Sequence, residues 1–392
     1  MLKASLRFII VVLLVLSLVV PKIANSPVAR AQDSIAWVKY SGDVNMGSER
    51  HVIDASVIKD GDTYKMWYTR AETDLNVLGI VNGVTAAIPT AMITHIAGMA
   101  AVLFLSDLSN VDVDEVFDLL NGSSTVIGYA TSSDGKEWSV GDDEVLSGGA
   151  GTWNSVGAPS VIKVADNDYR MWYTRLETEL TRPSLESILT NLGTNGEKKD
   201  ALLNLMDSTH TLIGYAKSTN GVDWTVQSSN ALGASFGGVW DSVADPSVIK
   251  DGSTYRIWYT NSKKDITADI MDDMDPATFG VDELVDILDG TSAAIGYATS
   301  TDDGETWTVQ DREVLAGDGG AWNSVASPSV VLEGSTYRMW YTQGDTDLEK
   351  TQISTLMSAV ADMTSNFWDL LEAFSAGDLT ELLTNLSAII VY

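Results

Sequence analysis

Four stretches of the chain share one alternation of apolar and polar positions: DASVIKDGDTYKMWYT from Asp54, APSVIKVADNDYRMWYT from Ala158, DPSVIKDGSTYRIWYT from Asp245 and SPSVVLEGSTYRMWYT from Ser327. In each, a short β-branched run meets a turn, such as Asp60-Gly61 or Asp251-Gly252, and an aromatic run follows. The pattern predicts a β-hairpin, here strands A and B. A second hairpin, strands C and D, is predicted by VIGYATSSDGKEWSV from Val126, LIGYAKSTNGVDWTV from Leu212 and AIGYATSTDDGETWTV from Ala294. Four antiparallel strands in a unit that repeats around an axis predict the blades of an all-β propeller.

The strand C pattern returns at Ala388–Tyr392, where the sequence ends without a strand D. Ile35–Val38 stands ahead of the first copy as Trp138, Trp224 and Trp307 stand ahead of the later ones. The expected fold is therefore four four-stranded blades closed by the N-terminal strand, a single domain over residues 35–392. The alternative is an incomplete five-bladed propeller.

Between strands B and C the period changes. The connections at about 71–124, 176–209, 261–291 and 343–386 are long, and each ends in an amphipathic stretch: Val113–Leu120, Lys199–Met206, Val281–Leu288 and Leu379–Leu386. Apolar residues at i, i+3 and i+4 predict helices. Strand directions put all four insertions on the face that carries the loops before strand A, as a canopy over the channel. The apolar run Ala86–Leu105 is long enough for a membrane span. A single crossing would separate two strands of one blade, so the expectation is helices packed on one another or a docking surface for a partner.

Composition narrows the partners. Lys and Arg total 24 against 54 Asp and Glu, a formal net charge of −30, which repels nucleic acid and anionic lipid. No cysteine is present, which excludes a disulfide scaffold, thiol catalysis and Cys-ligated zinc. Residues 1–31 combine Lys3 and Arg7, an apolar run from Phe8 to Val20, and Ala29-Arg30-Ala31 before Gln32. That order predicts a signal peptide and a secreted or extracytoplasmic protein; an uncleaved anchor is the alternative, with the same location for the propeller.

The strings Trp-Asn/Asp-Ser-Val-x-x-Pro-Ser-Val-Ile, Tyr-Arg-Met-Trp-Tyr-Thr and Ile-Gly-Tyr-Ala-Thr-Ser-x-Asp-Gly-x-x-Trp resemble the propeller glycosidase superfamily of arabinanases, fructosidases and mannoside phosphorylases. The resemblance spans the blades and not the insertions. It implies the fold and a carbohydrate ligand, and leaves the reaction open. The turn Ser300–Trp307 is also similar to the Asp-box of sialidase propellers, but the copies at Ser132–Trp138 and Ser218–Trp224 are one residue shorter. Members of the superfamily generally have five blades, so four would narrow the channel.

Where the copies differ, chemistry is more readily sought. Ahead of strand A they carry Asp54, Ala158, Asp245 and Ser327. In a four-bladed ring the first and third blades face each other, and two opposed carboxylates are what glycoside hydrolysis requires. The resemblance implies a catalytic Asp at this site, which falls on Asp54 and Asp245; the structural alternative is that each caps its own turn. The superfamily's proton donor is a Glu, for which Glu177, or Glu72, after strand B is the candidate, unless each pairs with its neighbouring Arg.

Arg70, Arg175 and Asn261 at the strand B ends are candidate ligand contacts. So are Trp153, Trp240 and Trp322, whose rings could stack on a sugar or anchor loops. His51, His95 and His210 have no ligand spacing, so no metal site and no cofactor is expected beyond weak calcium binding at Ile270–Asp275. The expected function is a non-catalytic module that binds carbohydrate or a protein partner through its canopy, and the alternative is a glycoside hydrolase or phosphorylase-like enzyme with Asp54 and Asp245 opposed at the channel mouth.

Overall fold

The structure, a computed structural model, describes residues 46, 52–71, 124–149, 154–178, 181–183, 186, 209–233, 242–264, 291–317 and 324–344. The expected helices at Val113–Leu120, Lys199–Met206, Val281–Leu288 and Leu379–Leu386, together with Ile35–Val38, Ala388–Tyr392 and residues 1–31, lie outside the described residues. Among those described, no helix is long and apolar enough to cross a membrane.

Fourteen strands follow in chain order: β1 (Val52–Asp60), β2 (Thr63–Ala71), β3 (Thr125–Ser132), β4 (Ser139–Leu146), β5 (Ser155–Ala165), β6 (Asp168–Thr178), β7 (Thr209–Ser218), β8 (Trp224–Leu232), β9 (Ser242–Asp251), β10 (Thr254–Lys264), β11 (Thr291–Ser300), β12 (Thr308–Leu315), β13 (Ser324–Glu333) and β14 (Thr336–Gly344). They form three four-stranded antiparallel sheets, β1 to β4, β5 to β8 and β9 to β12, and the two-stranded sheet β13–β14. Within each sheet the strands lie in sequence order, which is the A-B-C-D meander that the repeat predicts. Successive A strands, β1, β5, β9 and β13, lie against one another. The four antiparallel sheets therefore adjoin one another through their A strands.

Strand B owes its position to what it buries. Trp67 and Trp172 are fully buried, Tyr173 packs with Trp67 and Tyr259 with Trp172 between sheets, and Tyr68 is buried in a separate cluster with Met66 and Ala130. Each such tyrosine ring lies over a glycine of strand C: a Cβ on Gly128, Gly214 or Gly296 would sit 2.4–2.6 Å from the Cζ of Tyr68, Tyr173 or Tyr259. The Gly of Ile-Gly-Tyr-Ala is thus the hole into which the ring fits.

The Asp-box-like turns lock one sheet to the next. Ser132 and Asp134, Ser218 and Asn220, and Ser300 and Asp302 accept the turn's backbone N–H groups. That holds Gly221 and Gly304 at φ +84° and +79°, a left-handed conformation favoured by glycine. The carbonyls of these glycines then accept from Trp67 Nε1 at 2.7 Å and Trp172 Nε1 at 2.9 Å, each indole belonging to the preceding sheet. Besides burying a large ring, the bond satisfies an indole N–H that would otherwise be orphaned.

Candidate functional site

Strand A does not run straight. In β1, Ile53 pairs with Thr69 and Ser56 with Trp67, so Asp54 and Ala55 together oppose Tyr68. The same two-against-one β-bulge recurs at Ala158-Pro159, Asp245-Pro246 and Ser327-Pro328. Its first residue has φ of 51°, 44°, 49° and 51° at Asp54, Ala158, Asp245 and Ser327, none of them glycine. A left-handed non-glycine residue is costly by about 1 kcal/mol or more, and four at one topological position need a common compensation.

These residues were expected ahead of strand A; the structure places them inside it. The correction has a simple cause: pairing resumes beyond the bulge through Val52↔Arg70, Ser155↔Leu176 and Ser242↔Ser262. Strand B is longer for the same reason, so Arg70, Arg175, Glu177 and Asn261 lie within β2, β6 and β10.

The compensation is a threonine. Thr69, Thr174 and Thr260, the last residue of each Trp-Tyr-Thr, accept at 2.8 Å the N–H of the bulge residue in the next sheet, which is Ala158, Asp245 and Ser327 respectively. The hydroxyl proton is then free to turn back to the bulge residue of its own sheet. Thr260 Oγ1 donates to Asp245 Oδ2 at 2.9 Å, and Thr69 bonds the Asp54 side chain. Ser327 Oγ donates to the same Asp245 oxygen at 3.1 Å. No candidate role fell on these threonines in the sequence, because a residue shared by every copy reads as packing.

Asp54 and Asp245 occupy the same bulge position in the first and third sheets, and the charge of Asp245 reaches Asp54. Both carboxyls are pushed up from the ordinary carboxylate range. For Asp54 the largest cause is desolvation, the second is the charge of Asp245, and the bond from Thr69 opposes them; the net result is a pKa of about 7. Part of the Asp54 surface remains open even so. For Asp245, buried to 8 % exposure, desolvation dominates and the Thr260 and Ser327 hydroxyls oppose it. Two interacting carboxyls, one of which exchanges its proton near neutrality, can perform acid–base chemistry.

The other candidates are dispersed. Asn261 is fully buried, and its Nδ2 donates to the carbonyl of Arg312 at 3.1 Å on the outer side of the sheet, where β12 runs. It ties β10 to β12 there, and the bond to Asp245 comes instead from its neighbour Thr260. Arg70 and Arg175 are half-buried at the ends of β2 and β6. Glu177 pairs through its backbone with His210, and its side chain is outside the description, as are Glu72, Trp153, Trp240, Trp322, His51, His95 and Ile270–Asp275.

No protein-family model matches the chain. An uncharacterized protein of Mycobacterium tuberculosis (strain CDC 1551 / Oshkosh) is 32% identical over 100 residues, 26% of this chain and 27% of that one, so the chain matches about a quarter of that relative's length. Among solved structures, the chain is similar to a family 117 glycoside hydrolase of Zobellia galactanivorans, with 13% identity, TM-score 0.40, and coverage of 75% of this chain and 67% of that one. It is also similar to a β-1,2-mannobiose phosphorylase of Listeria innocua, with 12% identity, TM-score 0.42, and coverage of 77% and 71%. A third is a GH43 endo-arabinanase of Bacillus licheniformis, with 12% identity, TM-score 0.33, and coverage of 74% and 71%.

Proposed function

We propose that this chain is an exported, carbohydrate-acting propeller in which Asp54 and Asp245 form the acid–base pair of a glycoside hydrolase or phosphorylase-like reaction. The observation that carries the reading is that the first and third sheets hold a carboxyl at the same left-handed bulge, Asp54 and Asp245, with Asp54 pushed up to about 7 by burial first and by the charge of Asp245 second. Protonated near neutrality, Asp54 would deliver its proton to the glycosidic oxygen. Asp245, held by the hydroxyls of Thr260 and Ser327, would serve as the partner carboxylate. Glu177 remains a third acid to be tested.

In this reading the four sheets are the four blades of a ring that the N-terminal strand closes, the helical insertions roof its mouth, and the N-terminal segment directs export. The anionic surface suits a neutral, polyhydroxylated ligand better than a nucleic acid.

One observation favours a second reading, a binding propeller without catalysis: the Asp245 carboxylate already accepts two hydroxyl bonds and is 8 % exposed. Assay of the purified chain against aryl arabinosides, fructosides and mannosides, with and without inorganic phosphate, separates the two. The enzyme reading expects turnover that drops at least about a hundredfold in Asp54→Asn and in Asp245→Asn. Sugar binding by calorimetry, with no turnover by the unaltered protein, would select the binding reading.

A further inference from the structure

Three times in succession, one sheet meets the next through the same set of contacts. A hydroxyl of strand A accepts an N–H from the following A strand: Ser56 from Val161, Ser160 from Val248 and Ser247 from Val330, at 2.9–3.0 Å. The strand B threonine accepts the next bulge N–H. A strand B cation lies over the first tyrosine of the next strand B: Lys65 over Tyr169, Arg170 over Tyr255 and Arg256 over Tyr337. At two of the junctions the acid that ends strand A binds that same tyrosine: Tyr169 donates to Asp60 at 2.5 Å and Tyr337 to Asp251 at 2.6 Å. At two of them, the strand B tryptophan caps the next turn through Gly221 or Gly304.

The two ends of the array carry the matching halves of this set, and among the described residues each half is open. On the last sheet, Trp340 is 45 % exposed, where Trp67 and Trp172 are fully buried. Ser329 and Thr342 stand at the accepting positions, and Glu333 and Arg338 form their own-sheet ion pair at 2.7 Å, as Asp251 and Arg256 do at 3.1 Å. On the first sheet, Val57 is 47 % exposed although Val161, Val248 and Val330 in the same place are buried. A Cβ on Gly135 would meet nothing within 4 Å, whereas on Gly221 and Gly304 it would strike an indole. Tyr64 carries Lys59 of its own sheet over its ring, as Tyr169 carries Lys163.

We infer that the β13–β14 sheet docks on the first sheet of the same chain, with Thr342 accepting the Asp54 N–H, Ser329 the Val57 N–H, Arg338 over Tyr64, Glu333 taking Tyr64 and Lys59, and Trp340 capping Gly135. The occupant is the chain's own β1–β4 sheet because both unmet halves are in one molecule and follow the order of the interior junctions. Thr342 then becomes the positioning residue for Asp54, whose left-handed backbone lacks, among the described residues, the threonine acceptor that Ala158, Asp245 and Ser327 each have. The inference rests on the four-blade reading and not on catalysis: a ring could close around an inactive site.

The test uses the unaltered protein first. Carbodiimide joins a lysine directly to a carboxylate that contacts it, and peptide mapping should find Lys59 joined to Glu333 within one chain. Lys163 joined to Asp60, which lie 2.8 Å apart, is the internal standard. The second arm exploits the absence of cysteine. A Cβ on Gly157 would lie 3.5 Å from Thr69 Cβ, within disulfide range, so Thr69→Cys with Gly157→Cys is the interior control and Ile53→Cys with Thr342→Cys the closing pair. An intramolecular disulfide in both pairs is the expected result. If the interior standards form while both closing links fail, or if the closing links form only between chains, the inference is overturned. Loss of turnover in Asp54→Asn with closing links absent would separate failure of closure from failure of the acid–base reading.

Discussion

The hydroxyl of Thr260 donates to Asp245 Oδ2 at 2.9 Å, and it can do so because its lone pair already takes the N–H of Ser327 at 2.8 Å. One side chain therefore ties a buried carboxylate to a strained backbone in the neighbouring sheet. Thr260→Val keeps the shape and removes both bonds. It should cost about 2–4 kcal/mol in urea unfolding, since a buried carboxylate loses a partner and an N–H is left unpaired. Thr260→Ser should recover most of that.

Removing Asp245 reports on the coupling directly. In Asp245→Asn the negative charge beside Asp54 is gone while its desolvation remains, so the Asp54 carboxyl should titrate lower than about 7 yet above an ordinary aspartate. Carboxyl carbon chemical shifts followed against pH measure this, and an unmoved midpoint would show the two groups to be independent.

Stability should fall as pH rises. The folded pKa of Asp54 is raised, so the folded state holds more protons than the unfolded chain between about 4 and about 7. The slope of unfolding free energy is negative there: the contribution is fully present below the unfolded pKa and is lost as pH climbs through the folded one. Asp54→Asn lacks the term, and its stability relative to the unaltered protein should improve by on the order of 2 kcal/mol between pH 4 and pH 8, the solvent-exposed part of Asp54 reducing the effect.

Glycines of similar φ should differ sharply in tolerance. Gly252 at +63° faces open space, and Gly304 at +79° faces Trp172, whose Cζ2 would lie 2.2 Å from an added Cβ. Gly252→Ala should cost about 1 kcal/mol for backbone strain alone. Gly304→Ala adds a collision with a buried indole and loss of its bond to the turn, and should cost roughly 3–5 kcal/mol or prevent folding.

A related pair tests the ring-in-hole contact. Gly296→Ala should destabilise strongly, because its Cβ would lie 2.4 Å from Tyr259 Cζ. Shortening the ring with Tyr259→Leu should recover part of the loss in the double variant, giving a coupling of about 1–2 kcal/mol.

How much of this was legible in the sequence depends on the range of the interaction. The alternation in Tyr-Arg-Met-Trp-Tyr-Thr, the turns Asp60-Gly61 and Asp251-Gly252 and the spacing of the copies are local properties of the backbone. They determined fourteen strands, their antiparallel order and the membership of each sheet. The difference between copies at Asp54, Ala158, Asp245 and Ser327 was visible too. Its meaning was not: a left-handed bulge depends on Thr69, Thr174 and Thr260, which lie 67–89 residues away from the N–H groups they hold. The rise of the Asp54 pKa comes from burial first and from the charge of Asp245 second, and neither has a sequence signature. Local pattern thus specified the strands, and only tertiary packing decided which carboxyls share a field, because burial and charge act through space.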